Sequence, residues 1–568
     1  MKRVILFFLT LALLTGCSVF TSRKDPGLKE GRGIVADSGM VVSAHPYGSR
    51  IGAEILHSGG NAVDAAVATG FALAVCYPEA GNIGGGGFML IRFADGKTDL
   101  IDFREKAPLG ATHDMYLDNS GNVINGLSTA TGLATGVPGS VDGLYTAQTK
   151  YGKLPFREVI QPAIDLAENG FILTEEQASG LNHNRQTFID RNPSGSPFVR
   201  DSLWHAGDIL VQKDLAETLK HIRDNGRDGF YAGETAKLLV GQMKKVNGII
   251  SDLDLREYKS ISRRPLETSY RGYGIITVPP PSGGGITLIQ LLGMVEPYDI
   301  KEWGFHSAKT VHLMVEAERR AFADRSEYPG DPDFVKVPVS ELTDRDYLKG
   351  RMSTFKEDKA SLSSDIKAGM PAGFESTETT HYSVVDKDGN AVSVTTTLNG
   401  SFGNSIVVGG AGFLLNNEMD DFSVKPGFPN MYGLVGGEAN SVQPGKRMLS
   451  SMTPTIVEKD GALFMVVGSP GGSTIPTTVF QVLVDVIDYG MDIQDAVDAG
   501  RFHHQWLPDW INYESKAIDS LTAAQLTTMG HKLRMVRSIG RTNAVMVLPD
   551  GRKEGGADSR GDNSACGY

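Results

Sequence analysis

The stretch Thr379-Thr380-His381-Tyr382-Ser383-Val384-Val385-Asp386, followed by Lys387-Asp388-Gly389-Asn390 and by Ala-Val-Ser-Val-Thr-Thr-Thr-Leu at 391–398, reads as a β-hairpin. Both arms are β-rich, and the Asp-Gly step between them favours a tight turn. Residues 349–378, just before it, have the opposite character. They are rich in Lys, Asp, Ser, Thr and Gly and poor in aromatics, and they read as an exposed, mobile segment. A loose linker ending at a rigid strand is a place to cut a chain. A cut before Thr379 would put a hydroxyl and a free α-amino group on one residue. With an ordinary pKa of about 7.7–8.0, that amino group can take the hydroxyl's proton at neutral pH.

Upstream, a short strand from Met40 precedes a helix over 49–57 and a turn at Ser58-Gly59-Gly60. Asn61 and Asp64 mark the start of a buried helix through 65–75. The glycines at 84–87 lead into an alternating strand at 88–93; lacking a following Lys-Ser/Thr, they are a poor phosphate loop. Residues 154–331 are largely helical, as in 310–324, with loops at Pro279-Pro280-Pro281 and 283–285. No Gly-x-Ser-x-Gly elbow is present, which argues against an α/β-hydrolase.

The chain has 568 residues, 40% hydrophobic, enough for one very large domain or two ordinary ones. A formal charge of −12 without basic runs excludes nucleic acid as a natural partner. Glycine, 68 of 568 residues against an average near 7%, shows no repeat and is read as tight turns and close backbone approach. At the start, Lys2 and Arg3 precede an apolar run at 4–14 too short to span a bilayer, so 1–16 reads as a secretory signal. Leu14-Thr15-Gly16-Cys17 resembles a bacterial lipobox. The expectation is a chain lipidated at Cys17 and held on the periplasmic side of the envelope, with Ser18 favouring the outer membrane and 17–32 serving as a tether. Cys76 and Cys566 remain, with pairing left open, and neither has zinc-ligand spacing around it.

Several further motifs follow in order: Asp102-Phe103-Arg104-Glu105-Lys106-Ala107-Pro108, Ala317-Glu318-Arg319-Arg320-Ala321-Phe322-Ala323-Asp324-Arg325, Asn416-Asn417-Glu418-Met419-Asp420-Asp421-Phe422, Ser450-Ser451-Met452-Thr453-Pro454, Gly468-Ser469-Pro470-Gly471-Gly472-Ser473 and Arg501-Phe502-His503-His504-Gln505-Trp506. Together with the hairpin they resemble the γ-glutamyltranspeptidase family over almost all of 33–568. The resemblance implies an α+β fold, a four-layer α-β-β-α sandwich of the N-terminal nucleophile hydrolase type. It implies a precursor that cuts itself before Thr379 into a large part, 33–378, and a small part, 379–568, which stay together as one unit.

It also implies roles. Thr379 is the nucleophile, Thr397 orients it and assists self-cleavage from the same strand face as Asn399, and Gly471 and Gly472 offer backbone N–H groups to the oxyanion. Arg104, whose guanidinium fork suits a carboxylate, grips the donor's α-carboxylate with Ser450 and Ser451. Asn399, Glu418 and Asp421 hold its α-ammonium. A structural ion pair between Arg104 and Glu105 is the plainer reading. Residues 429–440, with Tyr432, resemble the family's lid over the donor pocket. Donors would be glutathione and other γ-glutamyl compounds, and acceptors water, amino acids or dipeptides. No cofactor or metal is implied, and His503 and His504 are read as structural. Two alternatives share the fold: a cephalosporin or glutaryl acylase, which needs no ammonium site, and an inactive surface lipoprotein, which would have lost Thr379 or the glycine pair.

Overall fold

The computed structural model describes residues 27–367, 379–431, 433–434 and 436–568. The hairpin forms as Thr380–Val385 and Ala391–Thr397, with Asp386 organising the turn by accepting from the backbone N–H groups of Asp388 and Asn390, both at 2.9 Å. It sits inside an eight-stranded antiparallel sheet in the order Lys29–Gly31, Ser564–Gly567, Met40–Ser43, Thr380–Val385, Ala391–Thr397, Gly86–Arg92, Thr98–Asp102, Ile261–Arg263. A second, seven-stranded sheet runs Ile34–Ala36, Lys553–Ala557, Asn543–Val547, Ala462–Gly468, Thr455–Lys459, Tyr273–Thr277, Leu266–Tyr270. In both sheets, strands from before and after 379 lie side by side.

Three apolar clusters define the layers. One joins Tyr382, Val384, Val392 and Val394 of the hairpin to the helix Ala62–Cys76 and its neighbours. A second joins the outer face of the seven-stranded sheet to Gly284–Val295, Ala308–Glu327 and Thr474–Ile487. The third, with Met40, Val42, Phe88, Val385, Ile456 and Val545, lies between the sheets. Helix, sheet, sheet, helix is the expected four-layer α+β sandwich, made because each sheet must cover two faces. The expected helix start is a full capping box: Asn61 Oδ1 accepts from the N–H groups of Val63 and Asp64, and Asp64 accepts from that of Asn61.

Four expectations need correction. The folded body begins before Gly33, because Lys29–Gly31 pairs with the C-terminal strand and Arg50 is ion-paired to Glu30. Gly283–Gly285 is not simply loop, since a helix starts at Gly284. The linker is not uniformly exposed. Ser361 donates through N–H and hydroxyl to Glu316 at 3.0 and 2.6 Å, and the Trp506 indole donates to the carbonyls of Ser363 and Ile366. The fourth concerns Asn399, described below. Cys76 and Cys566 are buried free thiols. The lipobox and Cys17, residue Glu378 and Tyr432 lie outside the described residues. Among those described, no helix is long and apolar enough to cross a membrane.

Candidate active site

Side chains alternate along a strand, so Thr379 falls on the same hairpin face as His381, Ser383 and Val385, the face turned to the second sheet. The register Thr380↔Thr396 and His381↔Thr395, carried one step further, sets Thr379 opposite Thr397. Thr379 is buried, at 6% exposure. This face is polar where it nears Thr379. The His381 ring nitrogens lie 2.9 Å from the Thr395 hydroxyl and 3.1 Å from that of Ser383. Ser383 donates to the carbonyl of Asn543 and Ser393 to that of Val467, both across the gap between sheets. Burial holds the His381 imidazole down at about 3, so it stays neutral.

Gly468, ending a strand of the second sheet, lies so close to the His381 ring that a β-carbon there would come within 2.3 Å of it. Three residues on, Gly471 (φ +138°) and Gly472 (φ +55°) make the turn into the helix Thr474–Ile487. These are glycine conformations at a helix N-terminus, where backbone N–H groups gather and negative charge is favoured.

On the neighbouring strand, Gly86 pairs with Thr397, and a β-carbon on it would meet the Phe103 carbonyl at 2.4 Å and Glu105 at 2.7 Å. That close approach carries the chain into Arg104, which is fully buried. Its guanidinium is ion-paired with Glu418 and Asp421, lies 3.4 Å from Glu105, and donates to the Leu449 carbonyl at 2.9 Å. The anticipated Glu105 contact is thus the longest of three. Burial opposes the charge on Arg104, but Glu418, Asp421 and Glu105 outweigh it and hold the guanidinium protonated. Three carboxylates face this one cation. Burial lifts Glu418 well above the usual carboxylate range and Glu105 to about 7, against the pull of Arg104.

The strand stops at Thr397, so Thr397 and Asn399 do not share a strand face. Asn399 turns away at φ +75°, its backbone N–H donates to the Thr397 hydroxyl at 2.7 Å, and its amide donates to the Asn417 carbonyl at 2.9 Å. Ser450 accepts from the N–H of Met452 at 3.1 Å, next to the Met448 and Leu449 carbonyls that meet Arg104. Ser451 accepts from Arg325 at 2.5 Å. Two residues of the 429–440 segment reach the same group: Asn430 donates to Asp421 at 3.2 Å, and the Met431 sulfur lies 3.6 Å from the Asn399 amide nitrogen.

The sequence reading missed two positioning residues. Asn416 accepts from the N–H groups of Gly136 and Glu418 and donates to the carbonyls of Gly84 and Gly136, which locks the acidic turn to the glycine run. Arg325 closes the end of the long helix onto Ser451. Both lie within quoted motifs, but nothing local marks their partners. Among the described residues, His312, Glu316 and His531 have metal-ligand spacing. They are accounted for by hydrogen bonds, since His312 and His531 bond each other at 2.7 Å and Glu316 is ion-paired with Arg319 and Arg320. His503 and His504 are buried and held down at about 3 and about 4.

The sequence profile of the family described as Gamma-glutamyltranspeptidase matches residues 48–568. This chain belongs to the γ-glutamyltranspeptidase family. It is 48% identical to the glutathione hydrolase proenzyme of Escherichia coli K12, over 98% of both chains. Among solved structures it resembles a cephalosporin acylase from Bacillus halodurans, with a TM-score of 0.82 at 25% identity over 97% of this chain and 99% of that one. It also resembles a Helicobacter pylori γ-glutamyltranspeptidase, with a TM-score of 0.57 at 48% identity over 58% of this chain and 94% of that one. The fold is the N-terminal nucleophile hydrolase type that these neighbours share.

Proposed function

We propose that this chain is a γ-glutamyltransferase and glutathione hydrolase made as a proenzyme. The Thr379 hydroxyl attacks the Glu378 carbonyl, the acyl group shifts from nitrogen to oxygen, and water cleaves the ester, leaving a carboxylate on Glu378 and a free amine on Thr379. In turnover that amine takes the hydroxyl proton as the oxygen attacks a donor's γ-carbonyl. The N–H groups of Gly471 and Gly472 stabilise the oxyanion, a contribution of about 3–4 kcal/mol per donor in comparable sites. The leaving amine departs with a proton, and water or an acceptor amine resolves the γ-glutamyl–Thr379 ester.

The observation that carries this reading is the strand register, which, carried one step on, sets Thr379 opposite Thr397 on the polar hairpin face. Thr379 lies two residues from His381, whose ring packs against Gly468 just before the glycine turn. The donor's head is a zwitterion, and Arg104 with Glu418 and Asp421 supplies both charges within one buried group. Its α-carboxylate goes to Arg104, Ser450 and Ser451, and its α-ammonium to Asn399, Glu418 and Asp421. A glutaryl acylase has no use for that second set, and the 48% identity to a glutathione hydrolase weighs the same way. Incubation with glutathione should release glutamate and cysteinylglycine, and added amino acids or dipeptides should acquire a γ-glutamyl group. Faster turnover of a glutaryl cephalosporin than of glutathione would reverse the choice.

The processed protein is anchored through lipid on Cys17 at the periplasmic side of the envelope, in the outer membrane; the Leu-Thr-Gly-Cys sequence supports this. Mass spectrometry of the mature N-terminus decides it, and an unmodified start at another residue rejects it.

A further inference from the structure

Ahead of the proposed cut, residues 361–366 lie against the long helix Ala308–Glu327 and are held there by buried polar groups. Ser361 donates to Glu316, and Arg319 donates to the Ser363 hydroxyl. The Ser363 N–H donates to Asp509 at 3.0 Å, and the Trp506 indole donates to the Ser363 and Ile366 carbonyls at 2.8 and 3.1 Å. Trp506 takes φ +69°, a left-handed backbone that a residue other than glycine keeps only where its surroundings fix it. Ile366 is turned inward, 8% exposed, in one apolar cluster with Phe322, Ala323 and Trp506. Leu362, four residues earlier, is 60% exposed, so the burial belongs to Ile366 and not to the apolar residues of this segment in general.

The cluster reaches the donor-head group through Leu434, which packs against it from the 429–440 segment. Leu434 and Arg325 line two small cavities. Phe322 and Trp506 border one of them, and Asp421 and Asn430 border the other. Paired bonds close the turn that carries Leu434: its N–H donates to the Asn430 side chain at 3.0 Å, and the Asn430 N–H donates to the Leu434 carbonyl at 3.1 Å. The Asn430 side-chain amide then donates to Asp421, the ion-pair partner of Arg104, and the Met431 N–H donates to Asp420 at 2.7 Å. A contiguous path thus runs from Ile366 to the acids around Arg104. Directional bonds hold one side of the turn, and packing against the cluster holds the other.

We propose that residues 361–366 position the donor site: Ile366 and Trp506 hold Leu434, and its turn keeps Asn430 on Asp421, before and after the chain is cut. The donor named here rests on the acyl-transfer reading above, and two measurements keep the two claims apart. Hydrogen exchange read by mass spectrometry tests the packing without turnover, and γ-glutamyl-p-nitroanilide hydrolysis tests its use. In Ile366→Ala the amides of 430–434 should exchange about tenfold faster than in the wild type. KM should rise about tenfold with kcat within twofold, the scale of one hydrogen bond to a charged group. Leu434→Ala should do the same, and the double variant should be little worse than either, because the two residues share one cluster. Ile366→Val should keep the wild-type KM. Val394→Ala, a loss in the other apolar layer, should move neither readout beyond twofold. Unchanged exchange at 430–434 in Ile366→Ala, KM within twofold in both single variants, or an equal rise in Val394→Ala overturns the proposal. No nitroaniline from the wild type rejects the acyl-transfer reading, and the exchange measurement still decides whether 361–366 holds the turn.

Discussion

The two faces of the central hairpin are built from different chemistry. Toward the helices it presents Tyr382, Val384, Val392 and Val394, all in one apolar cluster. Toward the second sheet, near Thr379, it presents His381, Ser383, Ser393 and Thr395, bonded to one another and across the gap. Full burial of a Val or Phe side chain contributes about 1.5–3 kcal/mol, whereas a neutral hydrogen bond adds only ~0.5–1.5 net but costs more when one partner is lost. The apolar face supplies stability. The polar face supplies position, because directional bonds fix the strand that carries Thr379, the proposed nucleophile, where apolar packing would let it settle.

Variants on either side sharpen that contrast. Thr379→Ala should give a folded single chain with no activity, since hydroxyl and nucleophile are lost together; two bands on a denaturing gel would refute the assignment. Arg104→Ala strands three carboxylates, two of them fully buried, and should destabilise the fold as well as abolish donor binding. Arg104→Lys keeps the charge without the fork. It should fold and cleave itself, yet lose about 10²-fold in kcat/KM on γ-glutamyl-p-nitroanilide, as expected for one or two charge-assisted bonds at ~1.5–3 kcal/mol each. A 4-aminobutyryl anilide, which has no α-carboxylate, should be poor for the wild type and lose little more. Equal proportional loss on both substrates makes Arg104 structural.

His381 gives a smaller effect with a definite sign. Folded, its imidazole is held at about 3, against about 6.5 in the unfolded chain, so only the unfolded state binds a proton between those values. Its contribution to stability is complete above pH 6.5 and is lost as pH falls toward 3. Other buried histidines, such as His45 and His306, share this sign, while Glu105 and Asp420, raised by burial, act oppositely. The difference between wild type and His381→Gln isolates the residue. Urea unfolding at pH 7, 6 and 5 should show the variant's pH slope shallower by about 1 kcal/mol per pH unit on average, rising toward the full ~1.4 near pH 5. Smallest in activity is Val394→Ala on the apolar face: about 2 kcal/mol less stable, with turnover within twofold. A large loss of turnover there would erase the distinction between the faces.

Much of this was legible in the sequence where it is local. The Asp-Gly turn, the Asn61–Asp64 capping box and the long helix Ala308–Glu327 follow from short-range pattern. The division of the hairpin into two faces was not, because both arms are buried throughout and Thr, Ser and His alternate with Val without marking an outside. Gly284 and Gly285 read as loop because glycine punctuates. A helix starts there nonetheless, and glycine is needed for close packing, since a β-carbon on Gly284 would meet the Ser451 carbonyl at 2.5 Å and one on Gly285 the Val278 carbonyl at 1.9 Å. Ser361 and Ser363 read as solvent-facing by composition, while Glu316, Asp509 and Trp506, distant in sequence, bind them. The proposed site residues were named together from the sequence, but the pairing of Arg104 with both acids depends on contacts more than 300 residues apart. The turn at Asn399 depends on a hydroxyl two residues back and a carbonyl 18 residues on, which strand periodicity does not mark.

The most direct test of the account is N-terminal sequencing of the mature protein's chains after a denaturing gel. The account predicts a smaller chain that begins Thr379-Thr380-His381 and appears without added protease. A single uncut chain with full γ-glutamyl transfer activity, or a smaller chain that starts at any other residue, would contradict it.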